Sequence, residues 1–204
     1  NLIYHTGVNV SFWDGTNGHD NDAIDGGDGV WDGLNDNWTD MAGHSNSPWD
    51  DDCFAVFSGQ AGTVTVDSAS GGIVASGLQF AVDGYRLNGD YLTLNDGQAP
   101  VIRVGNGNIS GSAFVATIES ELRGTEGLRK TDYGTLVLTG SNSYTGNTTV
   151  SGGLLKIGDG GTSGAIIGDV ALVQDGPTQG ALAFDRSDLF EFEGSISGSG
   201  SVTQ

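Results

Sequence analysis

The chain has 204 residues, of which 36 are Gly, 3 are Pro and one is Cys, with 26 acidic residues against 7 Lys and Arg for a net charge of −19. So much Gly with no Gly-X-Y period and almost no Pro excludes collagen; the charge excludes a nucleic-acid partner and disfavours an anionic membrane surface. A single Cys allows no internal disulfide, and no apolar run approaches the ~18 residues of a membrane helix, so the chain is expected not to be membrane-embedded.

Residues 1–60 hold all four Trp, all three His and the Cys, and no Lys or Arg. Their apolar spacing is the least regular in the chain. They are expected to form an irregular N-terminal cap with Trp13, Trp31, Trp38 and Trp49 mostly buried, because an open β end must be closed. The alternative use of these rings is stacking on sugars. The acidic run from His19 to Gly33, with Asp20, Asp22, Asp25 and Asp28, invites a Ca²⁺ reading. The EF-hand spacing fails, with Ile24 at position 5 and Trp31 at position 12. Gly26-Gly27-Asp28-Gly29 begins the Gly-Gly-x-Gly-x-Asp pattern, but Trp31 takes the Asp place. Residues 20–36 are therefore read as a solvated surface loop with no metal ligand.

His5, His19 and His44 could complete a Ser/His/Asp set by composition alone, yet no Gly-Asp-Ser-Gly or Gly-x-Ser-x-Gly occurs. His19 and His44 lack a paired zinc-ligand spacing. Cys53 follows three Asp residues, which disfavours a thiolate, so it is expected to be a small buried hydrophobe.

From residue 61 to 204 the apolar residues alternate, as in strands, between clusters of Gly, Asn, Asp and Ser. Leu92/Leu94, Leu136/Leu138, Leu155/Ile157 and Leu182/Phe184 superpose, with gaps of 44, 19 and 27 between their second members. Taking 44 as two turns gives a period of ~20 residues, the mark of a parallel β-solenoid. These eight residues are expected inward, in aligned stacks. About ten turns at ~4.8 Å would make a rod of roughly 45–50 Å. A longer offset of 74 lays Ile118, Leu122, Gly124 and Leu128 on Phe192, Ile196, Gly198 and Val202. The second of these units breaks off at Gln204, so a continuing stack is expected.

The run from Gly127 to Val150, read as Gly-Leu-x-Lys-x-x-x-Gly-Thr-Leu-x-Leu-Thr-Gly-x-Asn-Ser-Tyr-Thr-Gly, resembles the passenger-associated repeat of Gram-negative autotransporters. Asp132 stands where that repeat usually has Gly. Gly153–Gly158, Leu182–Asp188 and Ile196–Val202 resemble further turns of the same family, and the Trp-rich stretch resembles its leader. The resemblance implies an all-β, right-handed parallel β-helix with an irregular Trp-rich cap, displayed at the outer membrane or secreted. It also implies a non-enzymatic adhesin or stalk acting in attachment, aggregation or biofilm. Its partners would be a host extracellular-matrix protein, a cell-surface receptor or glycan, or another copy of itself. Lys130, Lys156 and Arg186 fall in segments the repeat explains, so no catalytic or cofactor-binding residue is assigned. The remaining alternatives are a β-helical glycan-active enzyme, which needs clustered acids and a base in a groove, and a spacer without a ligand.

Overall fold

The computed structural model describes residues 9–16, 20–95 and 97–204. Among them there is no α-helix; a single 3-10 turn, Ile109–Ala113, interrupts a succession of short strands. The strands stack in parallel as the coils of a β-solenoid. The first face contains Val10–Trp13, Phe54–Phe57, Gly77–Phe80, Val101–Val104, Leu128–Thr131, Thr148–Val150, Val170–Leu172 and Ile196–Gly198. The second contains Gly29–Trp31, Thr63–Val66, Arg86–Gly89, Val115–Ile118, Thr135–Leu138, Gly153–Ile157, Thr178–Phe184 and Ser201–Thr203. A shorter third face stacks Ile73–Ala75, Leu92–Leu94 and Leu122–Arg123.

Each face buries alternate side chains in ladders. On the second face Val64, Leu87, Ile118, Leu138, Ile157 and Phe184 are in register, as are Ala116, Leu136, Leu155, Leu182 and Val202 beside them. On the first, Trp13, Phe57, Phe80 and Val104 form one column. Burying each large aliphatic side chain stabilises by about 1.5–3 kcal/mol, which is the main force holding coil to coil.

Seven of the eight residues expected inward are fully buried; Phe184 is half-buried, against Phe190 and Phe192. The expected register of Leu136/Leu138, Leu155/Ile157 and Leu182/Phe184 is the observed one. Two other alignments are not. Leu92/Leu94 lie on the third face, with Ile73/Ala75 before them and Leu122 after. The rung beneath Leu136/Leu138 is Ala116/Ile118. The 74-residue offset is also no structural repeat: Leu122 is on the third face while Ile196 pairs with Val170 on the first, and Leu128 is on the first face while Val202 pairs with Leu182 on the second. Alternating apolar residues separated by Gly look alike on every face, so the sequence does not say which face a strand joins. The coils are also fewer than ten, because successive rungs such as Arg103 and Thr131 lie more than 20 residues apart.

At the N-terminal end, Val10–Trp13 and Gly29–Trp31 are already parallel rungs, under Phe54–Phe57 and Thr63–Val66. The stretch 20–36 is thus two loops around a strand rather than one loop. Trp38–Thr39 pairs antiparallel with Val10–Trp13, and Asn46–Ser47 with Trp38–Thr39, ending the sheet in a hairpin. All four Trp are buried. Trp38 lies 4.4 Å from Trp49, 4.9 Å from Trp31 and 5.3 Å from Trp13, centre to centre. Rings packed on one another in this way have no face left for a sugar.

Candidate binding groove

The outward side chains of the first face form two columns in register. One runs Val10, Phe54, Gly77, Val101, Arg129; the other Phe12, Val56, Gln79, Arg103, Thr131. Most outward positions of a solenoid are polar, but here they are largely apolar and the second column is buried. Two additions raise walls around it. The stretch Gly105–Gly107 folds against the second column, where Gln79 Nε2 donates to Gly105 O at 3.2 Å. A hairpin pairs Gln174–Asp175 with the start of Thr178–Phe184. Its two-residue loop is Gly176-Pro177, with Gly176 at φ 59°, a conformation a Cβ would strain. The result is a groove of about 370 Å³ lined by Val10, Phe54, Val101, Arg103, Arg129, Thr131, Asp132, Tyr133, Asp175 and Thr178, among others.

Asp132 anchors the groove. Its φ of 69° is the backbone conformation for which the repeat ordinarily uses Gly. The carboxylate offsets that strain: Oδ2 accepts from Arg103 Nε at 2.7 Å and from Gly107 N at 2.9 Å, and Oδ1 accepts from Tyr133 N at 2.8 Å. Both partners of the Arg103–Asp132 pair are nearly inaccessible, at 6% and 4%. Arg129 reaches the hairpin, its Nη2 lying 3.2 Å from Asp175 Oδ2 in a solvent-exposed pair. Thr131 Oγ1 is buried in the wall and has no hydrogen-bond partner. On the floor the Phe54 ring lies over Gly77, where a Cβ would come within 2.7 Å of it.

The residues weighed from sequence lie elsewhere. Asp20 Oδ1 accepts from Asn46 N, Asp25 Oδ2 from Asn21 Nδ2 and Asp28 Oδ1 from Thr63 N, so these carboxylates tie loops to neighbouring backbone and side chains. Among the described residues no group of three or more His, Cys, Asp and Glu is placed to hold a metal. His5 and His19 lie outside the described residues; His44 is exposed, 3.4 Å from Asp40. Cys53 is buried in the core, and burial followed by the charges of Asp50, Asp52 and Asp51 pushes its thiol up. Lys156 pairs with Asp185 at 2.5 Å, and Arg186 donates to the carbonyls of Gly164 and Thr162 while pairing with Asp188. Lys130 is wholly interior, donating to the carbonyls of Asp132, Gly134 and Gly152. Sequence reasoning missed the groove. Its signal was present in Phe54-Ala55-Val56-Phe57 and Val101-Ile102, where apolar residues occupy both faces of a strand, and in Asp132.

Residues 128–157 match the family described as passenger-associated-transport-repeat. Over its whole length the chain is similar to the "Adhesin BmaC autotransporter" of Brucella suis biovar 1 (strain 1330), with 44% identity over 230 residues. The chain spans 7% of that relative's length. No solved structure matches it.

Proposed function

We propose that this chain, a segment of an autotransporter passenger exposed at the surface of a Gram-negative bacterium, is a non-enzymatic adhesive module. In this reading residues 1–60 are the closing cap, which also supplies the first rung, and residues 61–204 are the repeat rod. The first-face groove is the contact surface. What carries the reading is that the groove is made by the features in which this stretch departs from a plain rod: outward Val10, Phe54 and Val101, the added hairpin and Asp132 in place of Gly. Likeness to a protein called an adhesin adds support. Binding is favoured over hydrolysis because both carboxylates of the groove are engaged, Asp132 by Arg103 and Asp175 by Arg129. The partner is a host matrix protein, a cell-surface receptor or glycan, or a second copy of the chain.

The test is adhesion of the purified chain to matrix proteins, epithelial cells and itself, against Arg129→Ala and Tyr133→Ala. Both side chains lie at the groove wall, so the coil is expected to remain intact by circular dichroism. Loss of adhesion in both variants is the expected result. Adhesion unchanged in both would return the chain to a spacer.

A further inference from the structure

We propose that the groove takes an uncharged oligosaccharide; this rests on the groove being the contact surface. The first ground is the mix of surfaces. Phe54 offers a ring packed against Gly77, and Tyr133 lines the same groove. Sugars present apolar C–H faces that pack on aromatic rings, and hydroxyls that need directed partners. Those partners are here: the exposed guanidinium of Arg129 and the exposed carboxylate of Asp175. A groove lined by aromatic and apolar groups with a few convergent polar ones is the usual form of a small-ligand site.

Charge decides which kind of sugar. Arg103 and Arg129 are two of only seven cations in the chain, yet each is paired with a carboxylate, so these four groups sum to zero. Around them lies a protein of net charge −19. A sulfated, sialylated or uronic-acid glycan would meet a repelling field. A neutral glycan avoids that cost, and its hydroxyls can bridge the exposed Arg129–Asp175 pair without breaking it. Size agrees with a small ligand, since a groove of about 370 Å³ falls in the range of small-molecule sites, roughly 300–1,000 Å³.

The experiment is a glycan array probed with the whole chain as wild type, Tyr133→Ala and Tyr133→Phe, with cell adhesion measured before and after periodate oxidation of the cells. Neutral oligosaccharides should bind; Tyr133→Ala should weaken binding about tenfold or more and Tyr133→Phe should retain it. Periodate should abolish groove-dependent adhesion. Binding confined to acidic glycans, or none to any glycan, overturns the proposal. Adhesion that survives periodate but still falls in Tyr133→Ala also overturns it, while leaving the groove as the contact surface. Adhesion indifferent to Tyr133→Ala removes the groove reading itself.

Discussion

Lys130 stands in an interior ladder between Ile102 and Val150, where the rungs from Ala55 to Leu172 are otherwise aliphatic. Its ammonium reaches past the ladder to three carbonyls of the turns at Asp132, Gly134 and Gly152, one for each of its protons. Burial pushes its pKa from 10.5 down to about 7, with Asp132 pulling the other way. The unfolded chain therefore holds this proton at pH values where the folded chain releases it, so the Lys130 contribution to stability should rise from about pH 7 towards 10.5 and be flat below. Urea midpoints of wild type and Lys130→Met across that range should differ by this slope; parallel curves would show that Lys130 does not titrate there. At pH 7 the Met variant should be less stable by about 2–4 kcal/mol, because buried carbonyls lose their donors. Asp132 gives the complementary case. Restoring the usual residue with Asp132→Gly relieves a strained φ but takes the carboxylate away from the buried Arg103, so it should cost about 3 kcal/mol or more. Adding Arg103→Met should recover most of that loss, and a strictly additive double variant would mean the pair is not coupled.

At the scale of elements, the turns are held by single side chains that span coils. Asn142 accepts from Leu122 N in the coil below and donates to Gly140 O and to Ala165 O in the coil above. Asn142→Ala should lower the thermal midpoint with a loss of about 2–4 kcal/mol, and Asn142→Asp should fail to rescue it, since a carboxylate cannot donate. At the other end Trp38 centres the hairpin that closes the first face, and Trp38→Ala should cost about 3–5 kcal/mol. Such elements were unevenly legible in sequence. Alternation with Gly-rich breaks revealed coils, and the register of Leu136, Leu155 and Leu182 followed because the strands between them are of one kind. The face to which Leu92 belongs did not follow, since an inward Leu carries no mark of its sheet. The groove was hidden for another reason: it joins Val10, Phe54, Val101 and Tyr133 across coils, and only the stack brings them together.

For the molecule as a whole, charge is the weak term. Thirteen acids and no Lys or Arg precede Arg86, so the first 85 residues repel one another. Raising NaCl from low ionic strength should increase stability by screening, while EDTA at fixed ionic strength should leave it unchanged. A fall with EDTA would turn Asp20, Asp22, Asp25 and Asp28 into ligands and overturn the solvated-loop reading. Packing is also graded along the stack. Trp31, Trp38 and Phe57 are fully buried in the aromatic nest, while Phe184 and Phe192 are only partly buried. Because each coil touches only its neighbours, stability need not be uniform.

The four clustered Trp then become a position-specific optical probe. Every indole in the chain sits within one aromatic nest at the N-terminal end, so intrinsic emission observes that end alone, whereas the far-ultraviolet strand signal averages over all coils. In a denaturant series the averaged signal should begin to fall before the emission shifts, as rungs outside the aromatic nest open first. Coincident curves would instead mean that one cooperative transition spans the rod. The order in which the coils open is thus readable without attaching a label.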